Sequence, residues 1–265
     1  MSRSTDLSTE MHFAAVRDAS SSLILDVGCG DGAHTLAFLR GRRVLGLEGY
    51  RPACAAAQAS GLKVLQADLE RPWPLGEGSV QVISANQVIE HLANTDQFAE
   101  ECFRVLRPGG TAVISTENLA AWPNILSLLL GQEPFSNTYS KRLWSIGNRL
   151  ARRSGRMPAN VAAYPHISVG SYQAVGDLFV RYGFRLEGSF GVHLSPLPVR
   201  FLRWLRRFDV RHSMYMTLVF RKPGEQPAPH PTHVSTTGRP PRRWRRQAGC
   251  DGPCTFYARR EGSAR

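Results

Sequence analysis

Between residues 23 and 115 the chain alternates short, continuous apolar runs with stretches whose apolar residues recur at helical spacing. The runs at 23–27, 43–47, 63–67, 80–84 and 111–115 read as strands, and 33–40, 52–60 and 95–106 as helices between them. Pro52 near the start of the second helix and Arg107-Pro108-Gly109-Gly110 after the third are start and stop signals of the expected kind. Strands that are apolar at nearly every position are buried on both faces, so the pattern predicts a doubly wound, mostly parallel α/β sheet. A helix at 171–182, ended by Gly183, and strands at 184–190 and 214–220 bring the sheet to seven strands. In such a sheet a ligand lies beyond the carboxyl ends of the strands, at the switch point.

Residues 119–165 keep neither rhythm. An apolar stretch at 125–130 precedes an arginine-rich amphipathic one, and the length exceeds that of an ordinary loop, so a helical insertion over the site is expected here. Residues 1–20 read as an N-terminal extension and 21–222 as the folded domain. From 223 to 265 proline, glycine and arginine replace any apolar period, which predicts a disordered tail.

Composition changes this picture in a few places. No apolar run reaches the roughly 18 residues of a spanning helix, and residues 1–10 carry both charge signs with no apolar segment, so a cytoplasmic location is expected. The five cysteines are odd in number and scattered, against a disulfide framework, and Cys250 and Cys254 lack a second ligand pair. No metal ligands are assigned. The net charge of +12 is uneven: residues 1–140 hold 10 basic and 15 acidic side chains, 141–222 hold 15 and 3, and 223–265 hold 8 and 3. An anionic partner or a solvated basic face would each account for it.

The densest chemistry is Leu25-Asp26-Val27-Gly28-Cys29-Gly30-Asp31-Gly32. Its glycines let the backbone turn sharply from strand to helix and approach a ligand closely. A dinucleotide fingerprint would place a third glycine at 33, where Ala33 stands. Two carboxylates, Asp26 and Asp31, would repel a pyrophosphate and suit a cation, and S-adenosylmethionine carries both an ammonium and a sulfonium. Glu48 ends the second strand, 18 residues past Gly30, where an acid can accept from both ribose hydroxyls. Asp68 ends the third strand, placed for the adenine amino group with Leu69 against the ring, and Asn86 follows the fourth strand beside the methionyl portion. A single acid at a strand end is commonly a turn or cap residue; four strand ends in register are harder to read that way.

Together with Gln66-Ala67-Asp68, Asn86-Gln87-Val88-Ile89-Glu90-His91 and Leu106-Arg107-Pro108-Gly109-Gly110, these segments resemble the small-molecule class I S-adenosylmethionine-dependent methyltransferases. Within that group they are similar to the branch that includes ubiquinone-type O-methyltransferases. The resemblance spans residues 20–222 and implies a Rossmann-like methyltransferase fold with S-adenosylmethionine as cofactor. By position it implies that Asp26, Gly28, Gly30, Glu48, Asp68, Leu69 and Asn86, with the adjoining Cys29 and Gly49, bind the cofactor. The ubiquinone-type enzymes carry a Glu-x-x-Glu-His metal segment; here Gln87 takes the first position, before Glu90 and His91.

A base is needed only if the methyl acceptor is a hydroxyl or an acidic carbon. His166 and His91 are the candidates for catalysis, with His193 behind them. His91 reads equally as a brace for the helix after the fourth strand, and His166 as a loop histidine. Residues 198–208 place Phe201, Leu202, Trp204, Leu205 and Phe208 on one helical side and Arg200, Arg203, Arg206 and Arg207 on the other. That is the pattern of an interfacial membrane helix, or of one docked on the domain's own sheet. With the apolar run at 125–130 it suggests a small or lipid-linked acceptor and a peripheral membrane contact. An RNA methyltransferase is a rival, on pI 10.2 and the tail's Arg242-Arg243-Trp244-Arg245-Arg246, but no RNA-binding module or Asn-Pro-Pro-Tyr-like motif is present. A non-catalytic cofactor-binding partner protein is another.

Overall fold

Seven strands form one sheet, in the spatial order Val64–Gln66, Val44–Glu48, Ile24–Val27, Val80–Asn86, Leu106–Glu117, Tyr215–Arg221, Arg185–Val192. The computed structural model describes residues 3–19, 23–151, 165–192 and 209–224, all in the first of two compact units, residues 1–225. The strands are β1 (Ile24–Val27), β2 (Val44–Glu48), β3 (Val64–Gln66), β4 (Val80–Asn86), β5 (Leu106–Glu117), β6 (Arg185–Val192) and β7 (Tyr215–Arg221). β1 to β5 pair in parallel, while β7 runs antiparallel between β5 and β6. The described helices are α1 (Arg3–Ala19), α2 (Ala33–Phe38), α3 (Arg51–Ala59), α4 (Thr95–Val105), α5 (Trp122–Leu129) and α6 (Tyr172–Arg181).

The strands sort their side chains by the two-residue period of a pleated sheet. Leu25, Val27, Ile83, Ala85, Ala112 and Ile114 enter the larger core, beneath α4 and α6, with Phe98, Phe179 and Phe220. Ile24, Val82 and Val113 point to the opposite face and pack with Phe13 and Val16 of α1 and with Leu39. In the larger core Phe179 stacks on Phe220 with ring centroids 4.5 Å apart, joining α6 to β7. Helix ends follow local chemistry: Asn94 accepts from Gln97 N at the start of α4, and Ser171 from Ala174 N at the start of α6.

Three elements differ from the sequence expectation. The N-terminal extension is a 17-residue helix packed on the sheet. β5 begins at Leu106, so Arg107–Gly110, which reads as a turn, belongs to a strand whose register with β4 shifts between Val80 and Val82. The insertion contributes one helix, α5, among the described residues, followed by turns, bends and irregular chain to residue 151. Residues 193–208, with the 198–208 amphipathic segment and His193, lie outside the described residues, as do Cys250, Cys254 and the tail from 225.

Candidate cofactor and acceptor site

The carboxyl ends of β1, β2, β3 and β4 lie side by side, because Val27, Leu47 and Ala85 share one register line and Glu48 pairs with Gln66. The glycine loop leaves β1 there. Gly28 has φ +68°, and a Cβ on it would lie 2.5 Å from Val88 Cγ2, so no other residue fits that turn. Gly30, at φ +58°, faces open space within 4 Å, which leaves room for a ligand against the backbone.

Glu48, 4% exposed, braces this loop. Its Oε2 accepts from Gly30 N (2.9 Å) and its Oε1 from Tyr50 N (2.7 Å), leaving further lone pairs on both oxygens for ribose hydroxyls. Gly49, Gln66, Ala67 and Asp68 line a cleft of about 540 Å³. A side chain at Gly49 would press on Ala67 O at 3.2 Å. Asp68 is exposed, accepts from Glu70 N (3.0 Å) and pairs with Arg71 (3.2 Å), while Leu69 is buried in the core beside it.

Asp26 lies beneath the loop rather than in the cleft. It is 3% exposed and accepts from Ser84 Oγ (2.7 Å) and from Thr35 Oγ1. Burial pushes its carboxyl up to about 6 against the pull of both hydroxyls. Cys29 turns its sulfur toward Gly46 of β2, where a Cβ would lie 2.7 Å away. Burial and the charge of Asp26 push its thiol up, so it stays protonated. Asn86 donates to Thr9 Oγ1 (3.4 Å), and its Oδ1 is buried with no hydrogen-bond partner. A buried acceptor lacking a donor at this strand end fits a ligand carrying an ammonium group, so these residues suit S-adenosylmethionine.

A second cluster stands on β5 and the segment after β4. Glu90, fully buried, accepts from Thr116 Oγ1 (2.8 Å), and burial raises its carboxyl. Its backbone carbonyl accepts from Ile167 N (2.7 Å) and Ser168 N (3.0 Å), which brings His166 in beside His91. The two imidazoles meet edge to face, centroids 4.9 Å apart. Nδ1 of His91 donates to Pro165 O (3.2 Å) and Nδ1 of His166 to Ser136 O (2.8 Å). Because carbonyls only accept, each neutral ring carries its lone pair on Nε2. Gln87, at φ +58°, with its amide oriented to satisfy both neighbours, donates to Glu90 Oε1 (3.2 Å) and accepts from Thr116 N (3.3 Å).

Glu90, His91 and His166 each offer a ligand atom within 4.8 Å of the others, a spacing that could hold an ion, although the sequence assigned no metal ligands. Glu117 is the functional candidate that sequence reading missed; Glu90 was named there only as part of the segment shared with the ubiquinone-type enzymes. Glu117 Oε2 lies 3.6 Å from His166 Nδ1 and has no hydrogen bond, and burial lifts its carboxyl to about 7. A carboxyl raised by folding stabilises the fold while protonated, and the benefit is lost as pH rises from about 4.5 toward 7. Glu117→Gln, which mimics the protonated acid, should therefore gain on wild type across that window, by about 2 kcal/mol once the wild-type carboxyl is ionised. Urea unfolding at acidic and mildly alkaline pH measures it; a constant difference between the two proteins would show that Glu117 titrates normally.

Residues 25–114 match the family described as Methyltransferase domain. Among curated proteins, the chain is 42% identical over 112 residues to one from Mycolicibacterium smegmatis named "Probable S-adenosylmethionine-dependent methyltransferase". That match covers 40% of each chain, so it spans well under half the length of this relative. A ubiquinone biosynthesis O-methyltransferase of Nitrosococcus oceani is 29% identical over 185 residues, 67% of this chain and 70% of that one. Among solved structures, an S-adenosylmethionine-dependent methyltransferase from Thermotoga maritima superposes with TM-score 0.56 at 14% identity, covering 83% of this chain and 90% of the other. Residues 25–114 thus carry a Methyltransferase domain, and the seven-stranded sheet with its antiparallel seventh strand has the Rossmann-like fold of the class I methyltransferases that the chain resembles.

Proposed function

We propose that the protein methylates a small acceptor bearing an apolar, lipid-like portion, at a hydroxyl or an acidic carbon. The apolar half of this reading rests on α5, which is built inside out. Asn124 and Ser127, one turn apart, are its buried residues, whereas Trp122, Leu126, Leu129 and Leu130 are 46%, 48%, 78% and 56% exposed. Asn124 accepts from Phe135 N (2.8 Å) and donates to Asn118 O and Ser136 Oγ (both 2.9 Å), and Asn148 donates to Ser127 Oγ (3.4 Å). The polar stripe thus fastens the helix to its own loop; Trp122 stacks on His212, and among the described residues Leu126, Leu129 and Leu130 stay exposed as an apolar face. The same loop supplies Ser136, whose carbonyl holds His166, so the leucine face and the histidines belong to one structure.

S-adenosylmethionine, when bound, supplies a methyl group on a positive sulfur. Gly28, Gly30, Glu48, Asn86 and the cleft at Gly49 and Asp68 would hold it. The acceptor's proton passes to Nε2 of His166 or His91, and the ionised carboxylate of Glu117, 3.6 Å from His166 Nδ1, balances an imidazolium at His166. A cytoplasmic protein working at a membrane surface would meet such acceptors; no helix among the described residues is long and apolar enough to cross one.

The test is transfer of labelled methyl from S-adenosylmethionine into organic and aqueous fractions of a cell extract and into RNA. Label in the organic fraction is expected. Label in RNA alone would favour the nucleic-acid reading, and cofactor binding without transfer to any fraction would favour a non-catalytic role. Leu126→Ser with Leu129→Ser should raise KM for the organic-phase acceptor about tenfold by removing two apolar contacts, with kcat and cofactor affinity kept. An unchanged KM would detach α5 from acceptor binding.

A further inference from the structure

The face of the sheet under α1 changes character along its strands. Ile24, Val82 and Val113 are apolar; two residues on, Asp26, Ser84 and Ser115 are polar and buried. α1 matches this step for step. Phe13 and Val16 meet the apolar part, and His12, next to Phe13 and one turn before Val16, meets the polar part. His12 is fully buried, with Nε2 2.9 Å from Ser84 Oγ on β4 and Nδ1 2.7 Å from Ser115 Oγ on β5.

The hydrogen bonds have one consistent direction. Ser84 has a single proton, and it goes to Asp26 Oδ1 (2.7 Å), an acceptor while ionised. Ser84 Oγ can then only accept from His12, so Nε2 carries the hydrogen. The neutral ring leaves Nδ1 as acceptor for the Ser115 hydroxyl, and Ser115 Oγ accepts from Thr217 Oγ1 (2.6 Å). Donors therefore point from Thr217 through Ser115, His12 and Ser84 to Asp26, the carboxylate two residues before Gly28. Burial holds the His12 ring neutral, its pKa down at about 3.

We propose that α1 is a working part of the cofactor site and that His12, as the Nε2–H tautomer, is a positioning residue that orients Asp26 beneath the glycine loop through Ser84. A surface carboxylate would need no such support. A buried one keeps its charge and direction only while each hydroxyl reaching it is itself held. The other hydroxyl, from Thr35, comes from α2, immediately after the loop. The inference rests on the glycine loop being the cofactor site.

Titration with S-adenosylhomocysteine tests it on His12→Phe, His12→Gln, Ser84→Ala and the His12→Phe/Ser84→Ala pair, all in the full chain. His12→Phe removes both hydrogen-bonding atoms at similar size and should weaken binding about tenfold, the worth of one charge-assisted hydrogen bond. His12→Gln keeps a donor and an acceptor and should recover most of that loss. Ser84→Ala should match His12→Phe, with the double variant no worse, because both cut one path. Val16→Ala, which loosens α1 without touching the path, should lower stability and leave affinity unchanged. Wild-type affinity in folded His12→Phe, additive losses in the pair, or an equal loss in Val16→Ala would overturn the inference while the cofactor reading stands. A folded wild type that binds no cofactor would overturn both. If His12→Phe does not fold, Ser84→Ala with wild-type affinity decides against the inference, and nitrogen NMR of the ring finding the hydrogen on Nδ1 does so in wild type.

Discussion

Glu48→Ala is expected to weaken S-adenosylhomocysteine binding by about a hundredfold or more, the loss of two charge-assisted hydrogen bonds at roughly 1.5 kcal/mol each. The side chain has two duties. It accepts from Gly30 N and Tyr50 N and so fixes the loop on one side and the start of α3 on the other. Its remaining lone pairs, one residue before the cleft's Gly49, would accept from ribose hydroxyls. Alanine leaves both amides without their acceptor, so part of the loss is loop order rather than ligand contact. Glu48→Gln separates the two: its single carbonyl oxygen can keep one amide bond at the cost of the charge, and a loss nearer tenfold is expected. Calorimetric titration with circular dichroism as the check on folding reads both. A folded Glu48→Ala protein with wild-type affinity would mean that the cofactor lies elsewhere.

The strand ends were legible because parallel strands buried on both faces are written as unbroken apolar runs, and a run that stops at Glu48 or Asn86 marks a site edge. The glycine loop was legible for a related reason, since positive φ at Gly28 and Gly30 demands glycine itself. α1 was not, because its inward stripe is Thr9, His12, Phe13 and Val16, and two polar members blur the apolar period that announces a helix. α5 was legible in part. Its leucines stood out as an apolar stretch within the insertion, but the burial of Asn124 and Ser127 did not, a choice set by hydrogen bonds to the residues at 118, 135, 136 and 148 that no local pattern encodes. The segment 107–110 has turn composition but pairs as strand, with Gly109 N donating to Lys222 O (3.0 Å) across the sheet. The histidine cluster was half visible. Both imidazoles could be named from their positions, but Glu90 and Glu117 join His166 only through contacts 76 and 49 residues apart along the chain.

His166→Ala is expected to lower kcat by about a hundredfold to ten-thousandfold, the usual span for removing a general base, while leaving cofactor affinity within about twofold of wild type. The geometry favours His166 over His91 for this role. Its Nδ1 is anchored on Ser136 O, which presents Nε2 as the basic atom, and Glu117 stands 3.6 Å from the same Nδ1. If Nε2 takes the acceptor's proton, as proposed, the imidazolium would gain a carboxylate partner that is itself near half ionised at about pH 7. His91 has the same anchor, on Pro165 O, and packs against His166, so its loss should act mainly by letting the His166 ring turn. Glu117→Gln keeps the ring in place but removes the compensating charge, and should cost about tenfold in kcat above neutral pH with little effect below it. Single-turnover transfer to the organic-phase acceptor, measured across pH for the three variants, orders them as His166→Ala, Glu117→Gln and His91→Ala. A His166→Ala enzyme with full kcat would mean that the acceptor arrives already nucleophilic, as an amine does. The histidines would then serve to shape the acceptor pocket, and proton removal would have no part in the rate.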